Sequence, residues 1–201
     1  MTEQLRPVEQ WLQAVESEMR MSLRASAAAA LEHRETQERR EWLFGWPAQI
    51  VLALDQCRWT ELVEDKGLRG QKEDPGALRK ALELEQATLR ELVALTRTKP
   101  GEYRHAETLG ALIVLGVHSK DVTAQLLEKG VSDPEEFEWI AQLRNYALFA
   151  APGKGMAPQL ELEARMVTAT RRFGFEYLGN QPRLVITPLT DRCYRTLMVA
   201  L

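Results

Sequence analysis

A mainly α-helical chain with a small β element near its C-terminal end is the fold this sequence predicts. Three observations predict it. Apolar residues recur at three- and four-residue steps through most of the first 140 positions. Helix-stopping residues, Pro100-Gly101 and Gly130, separate those runs. A period of two appears only after Leu160. The content of 45% hydrophobic and 27% charged residues is that of an ordinary globular chain, and 201 residues can bury a sizeable core.

Leu5, Val8, Leu12, Val15, Met19, Leu23 and Ala27 form one face of a first amphipathic helix, with Pro7 suited to its first turn. Arg34, Arg39 and Arg40 alternate with Glu32, Glu35, Glu38 and Glu41, which reads as a solvated helix face with i,i+4 pairs. A second helix is expected from Trp46, with Pro47 at its first position, to about Trp59. The polar, Gly-rich stretch from Asp65 to Gly76 reads as a flexible connection. Leu78, Leu82, Leu89, Leu92, Val93 and Thr96 mark a third long helix, ended by Pro100-Gly101. Leu109 to Val117 reads as buried helix, and Val122 to Lys129 as a shorter one closed by Gly130. Asp133 as cap, Pro134 at the first position and Glu136 two residues on predict another helix, presenting Phe137, Ile140, Leu143 and Trp139 to a core.

Ala147 to Pro158 lacks apolar periodicity and is rich in Gly, Pro and Ala, so it reads as a mobile connection. Leu160, Leu162, Ala164 and Met166 then alternate with polar residues, as do Phe173, Phe175 and Tyr177. One or two strands are expected here, a short helix over Leu160 to Arg171 being the alternative, and strand content is expected only after Leu160. Leu184 to Thr187 is an apolar extended run, and a last helix follows with Thr187 as cap and Asp191 near its N-terminus.

The net charge of −3 provides no electrostatic footprint for nucleic acid or an anionic membrane. Cys57 and Cys193 are the only cysteines, without metal-ligand spacing, so neither a disulfide framework nor a metal site is expected. The first residues carry no signal-peptide core, and no apolar run approaches the length that spans a bilayer. A reducing, cytosolic or cytoskeletal setting fits.

No catalytic group is visible. Pro152-Gly-Lys-Gly155 lacks the Lys-Ser/Thr pair that a phosphate cradle needs at the opening of a helix, and it reads as a linker. His118 stands near Ser119 and Asp121, but neighbours on a helix point in different directions, so a triad is not the better reading. Glu135/Glu136 and Glu161/Glu163 are explained by capping and by a solvated strand face. The five tryptophans, Trp11, Trp42, Trp46, Trp59 and Trp139, read first as core anchors and second as hot spots for a partner.

Three blocks carry a family resemblance. Phe175 to Met198, with Leu184-Val-Ile-Thr-Pro-Leu189 at its centre, resembles the opening of the first AAA+ module of dynein heavy chains. Glu41 to Leu52, containing Trp46-Pro-Ala-Gln49, and on through Gln56 to Thr60, is similar to the WPGQ segment of the dynein linker. Thr108 to Leu112, Val117 to Val122, Lys129 to Asp133 and Phe137 to Tyr146 resemble the linker's last helices. The blocks stand in family order. The departures are Ala150 to Pro158, Ala48 for the usual Gly and Val199 where Gly is typical.

The resemblance implies linker helices over 1–149, a flexible connection over 150–159, and linker-to-ring strands with the incomplete start of an AAA+ module over 160–201. It implies an ATP-driven microtubule motor as the parent, with ATP and Mg²⁺ as its cofactors. Leu184, Val185, Ile186, Pro188 and Leu189 are then expected on the adenine side of the first nucleotide site. No phosphate-binding loop lies within the 201 residues, so neither hydrolysis nor a bound nucleotide is expected of the fragment alone. Implied partners are the AAA+ ring, the dynein intermediate and light chains, and microtubules, with no nucleic acid and no membrane. The implied location is cytoskeletal, in a cilium or flagellar axoneme. The rival reading is a non-enzymatic helical scaffold or interaction module from a truncated dynein paralogue.

Overall fold

The computed structural model describes residues 8–97, 103–150, 159–180 and 185–200. Within them the mainly α expectation holds, with one small sheet. Helix α1, Val8–His33, buries only Leu23, Ala27 and Ala30; Val8, Leu12, Val15 and Met19 of its expected core face lie exposed, as does Trp11 beside them. Leu5 of that stripe lies outside the described residues. A turn then leads into α2, Arg39–Gly45, and α3, Ala48–Glu61. The arginines between them do not form a simple solvated face. Arg34 reaches Glu61 at 3.0 Å and Arg39 reaches Asp55 at 3.2 Å, because the chain breaks after α1 and folds both onto α3.

Helix α3 is buried on nearly every side, through Ile50, Val51, Leu54, Cys57 and Trp59, and is therefore an interior helix. It starts one residue later than expected, with Pro47 as the cap rather than the first helical position. Asp55, buried inside it, accepts from Arg39 and Arg58 at 3.2 Å each. Arg58 also lies 3.1 Å from the buried Glu85. Charges this deep persist only when paired.

The expected flexible loop after residue 65 is instead helical. A π-helix, Leu62–Leu68, runs on from α3 and a 3-10 turn, Arg69–Lys72, follows. Leu62, Val63 and Leu68 are buried, which fixes this stretch despite its polar residues. Gly67 makes close packing possible: a Cβ there would stand 3.1 Å from Leu78 Cδ1. A turn follows in which Asp74 Oδ1 accepts the Gly76 N–H at 2.9 Å.

Helices α4, Ala77–Arg97, and α5, Tyr103–Glu128, pack side by side, with Leu89 against Gly116. The two expected helices over 109–129 are thus one, with Ser119, at the expected break, buried within it, as is Thr123 one turn on. Thr123 Oγ1 donates to the Ser119 carbonyl at 2.8 Å and accepts the Trp59 indole N–H at 3.3 Å. Gly130, at φ +70°, closes α5 as expected. Val131 N–H reaches Leu126 O at 3.0 Å and Gly130 N–H reaches Leu127 O at 3.2 Å, the paired bonds of a Schellman ending.

The Glu136 carboxylate accepts from the Ser132 and Asp133 amides at 2.7 and 2.9 Å, and Asp133 Oδ1 accepts from the Glu135 amide at 2.8 Å. These bonds make a turn rather than a helix start. The helix itself, α6, is the single turn Phe137–Ile140, in which Trp139 is fully buried and Phe137 stays exposed.

Strand β1, Arg144–Ala150, overturns the expectation that strands begin only after Leu160. It pairs antiparallel with β2, Gln159–Met166, from Arg144↔Arg165 to Ala150↔Gln159, and β2 pairs with β3, Ala169–Arg172. The strand reading of Leu160 to Met166 holds, with Leu160, Leu162 and Met166 turned inward. Residues 147–150 of the expected mobile connection belong to β1, and 151–158 lie outside the described residues. Phe173, Phe175 and Tyr177 form no strand. Phe175 is buried at φ +52°, and Tyr177 faces solvent.

The last helix, α7, spans Pro188–Ala200 and buries no residue fully. One apolar cluster joins α1, α2, α3, α4, α5, β2 and Phe175; a second gathers Trp59, Val63, Leu68, Leu78, Val122, Leu126, Val131 and Trp139.

Candidate functional site

Residues Ile113, Val114, Val117, His118, Asp121, Val122 and Gln125 recur at three- and four-residue steps and form one face of α5. Across from that face run Val185, Ile186, Thr187 and Pro188, with Asp191 from the first turn of α7 and Gln142 at the margin. Between them lies a cavity of about 360 Å³. That is near the lower end for a small-molecule site, roughly 300–1,000 Å³.

The cavity gathers Val185, Ile186 and Pro188 from the expected adenine-side residues. Ile186 is half-buried and packs on the larger core cluster, whereas Val185 is 70% exposed. Leu189 does not line the cavity and is 70% exposed. Leu184 lies outside the described residues.

The α7 N-terminus is built as the sequence suggests. Thr187 Oγ1 accepts the Thr190 amide at 3.3 Å, and Thr190 Oγ1 accepts the Thr187 amide at 2.7 Å, a reciprocal cap. Asp191 then sits favourably in the first turn. Its Oδ1 lies 4.0 Å from His118 Nε2. Burial pushes His118 below the ordinary histidine value, against the opposing pull of the Asp191 and Asp121 carboxylates. The imidazole is neutral at neutral pH and can accept or donate one hydrogen bond.

An apolar slot edged by two carboxylates and a neutral imidazole suits a flat, uncharged ring. Its lining among the described residues holds no Lys or Arg, and Asp121 and Asp191 place negative charge at its edge, which disfavours a polyanion. Among the described residues no group of His, Cys, Asp and Glu could hold a metal ion. His118 stands against the Asp191 carboxylate and, among the described residues, has no hydroxyl partner at the cavity.

Sequence reasoning weighed His118 only as a triad member and did not bring it to Ile186. The signal lies in the step His118–Val122–Gln125, which faces one way on a continuous helix, whereas the sequence pattern alone reads as two helices parted at that point. The tryptophans divide too. Trp42, Trp59 and Trp139 are buried anchors whose indole N–H groups donate to Ala30 O, Thr123 Oγ1 and Glu64 Oε2, while Trp11 is 59% exposed.

Residues 173–201 match the family described as the hydrolytic ATP binding site of the dynein motor region. The chain is 39% identical over 194 residues to dynein axonemal heavy chain 3 of Homo sapiens, covering 96% of this chain and 4% of that one. It is 38% identical over 193 residues to dynein axonemal heavy chain 12 of Mus musculus, covering 96% and 6%. Dynein axonemal heavy chain 1 of Homo sapiens is 40% identical over 196 residues, at 96% and 4%. The chain thus spans 4% to 6% of the length of these relatives.

Proposed function

We propose that this chain, 38–40% identical to axonemal dynein heavy chains over 96% of its own length, supplies two parts of a microtubule motor. Residues up to 149, helices and most of strand β1, are the force-transmitting end of the linker. Residues 160–201 lead into the first AAA+ module, with 150–159 as the connection, and Val185, Ile186 and Pro188 take the adenine side of its ATP site. The observation that carries this reading is the cavity between α5 and residues 185–191, where those three residues meet an apolar helix face. Leu184 and Leu189 complete the run by resemblance. In the parent motor, Mg²⁺ and the phosphates would be held by groups supplied from elsewhere in the heavy chain.

The division of labour follows from charge. A cavity bordered by Asp121 and Asp191 favours the base and disfavours the triphosphate, whose binding energy comes from oriented N–H groups, a lysine and Mg²⁺. An adenine held on one side only gains little: millimolar affinity is about 4 kcal/mol, a size that the entropy of association consumes. Titration calorimetry of the 201-residue chain with Mg-ATP is therefore expected to show no binding tighter than about millimolar and no hydrolysis. In a complete heavy chain, Ile186→Asp is expected to weaken ATP binding at least tenfold, about 1.4 kcal/mol, by placing a charge against the base. Micromolar binding by the short chain that vanishes with Ile186→Asp would assign it a full nucleotide site and overturn the reading.

One observation is shared with the rival reading, a helical interaction module. Trp11, Leu12, Val15 and Met19 line an exposed face of α1. In a heavy chain, that face would meet other parts of the motor; in a scaffold, it would meet a separate partner.

A further inference from the structure

At residue 173 the chain leaves the sheet. The Phe173 amide still bonds the Leu162 carbonyl at 2.8 Å, and after it no described backbone amide or carbonyl of residues 174–180 joins a ladder. One side chain takes over. Gln49, on α3 and only 7% exposed, donates its amide N–H to the Glu176 carbonyl at 2.9 Å. Its Oε1 accepts the Leu178 N–H, also at 2.9 Å. A primary amide offers donor and acceptor in one plane, so Gln49 bonds residues 176 and 178 as a neighbouring strand would. Two further contacts fasten the same stretch to α1: Arg24 stands 5.1 Å over the buried Phe175 ring, and Arg20 pairs with Glu176 at 3.0 Å. Both α1 contacts involve side chains; Gln49 is the group that grips the backbone.

We propose that Gln49 is a positioning residue, a two-pronged latch that ties the first residues of the ATP-site segment to α3. Through it a displacement of the helical body is passed to residues 176–178, and from there towards Ile186 and α7. This rests on the linker reading above. The choice of residue type is specific. Glutamate at position 49 would keep the acceptor for Leu178 but set a negative oxygen against the Glu176 carbonyl, and methionine would fill the space with neither bond.

Hydrogen exchange on the 201-residue chain tests the latch. In the unmodified chain the Leu178 amide is expected to exchange more slowly than those of Tyr177 and Gly179, although Leu178 itself is 61% exposed. Gln49→Met is expected to speed Leu178 exchange about tenfold or more, with the amides of α3 and α5 unchanged, and Gln49→Glu to leave Leu178 protected. Leu178 exchanging as fast as its neighbours in the unmodified chain would overturn the proposal without need of a variant. So would equal loosening of α3 and α5 in Gln49→Met, which would make Gln49 a packing residue. In a complete heavy chain carrying this segment, Gln49→Met is expected to slow microtubule gliding several-fold while ATP binding persists. Unchanged gliding with Leu178 released overturns the coupling. Absence of gliding even in the unmodified heavy chain would instead sink the linker reading.

Discussion

His118 shows how a single residue records its surroundings. It is half-buried on α5, with Asp191 of α7 at 4.0 Å and Asp121 on its own helix. Burial outweighs both carboxylates and lowers its pKa, so the folded state resists protonation more than the unfolded chain does. The sign follows: the stability contribution is complete above the unfolded value of about 6.5 and is lost as pH falls below it. An imidazole titration by NMR should therefore find a midpoint below about 6.5, and His118→Phe should flatten the loss of stability as pH falls below about 6.5. A midpoint at or above the ordinary value would show that Asp191 controls the ring. Other residues of this kind were not legible in the sequence. Glu64 is buried and takes hydrogen bonds from Trp139 at 3.0 Å, Tyr146 at 2.6 Å and Arg69 at 2.9 Å, partners up to 82 positions away. No local pattern marks such a carboxylate, because its role exists only once distant elements meet.

At the scale of elements, legibility followed periodicity. The face of α4 and the alternation of β2 are written in steps of three and four and of two, and the starts of α3 and α7 in Pro47 and Thr187, whereas the single helix α5 reads in the sequence as two. The π-helix over Leu62–Leu68 was not legible, since its wider turn breaks the 3.6-residue step and its Glu, Asp and Lys resemble a loop. Strand β1 was missed for a related reason. Arg144–Ala150 shows a weak burial alternation and owes its extended form to the ladder with β2. Where backbone geometry alone decides, the sequence spoke clearly. Gly130 at φ +70° ends α5, and open space surrounds the position a Cβ would take. Gly130→Ala is therefore expected to cost about 1 kcal/mol through conformation and not through a clash, measurable as a lower urea midpoint with an unchanged slope. A cost near zero would show that α5 ends by other means.

For the whole molecule, the two apolar clusters share their supports. Helix α3 carries Ile50 and Leu54 into one and Trp59 into the other, and α4 and α5 likewise contribute Leu92 and Leu112 to the first and Leu78 and Leu126 to the second. Neither cluster can be lost while these helices persist. Urea unfolding is expected to be a single transition, with helical circular dichroism and tryptophan fluorescence coincident; two separated midpoints would mean the clusters fold independently. The β1–β2 ladder has a consequence for length. Ala150 and Gln159 are register partners, so the two ends of the connection at 151–158 are held side by side by hydrogen bonds on either strand. Doubling a closed loop adds only about 0.6 kcal/mol of closure entropy. Insertions between those two partners, whether acquired during evolution or engineered as a fluorescent reporter, therefore leave the hairpin as the fixed hinge-pin of the chain, and the path from the helices to Phe173 keeps its course.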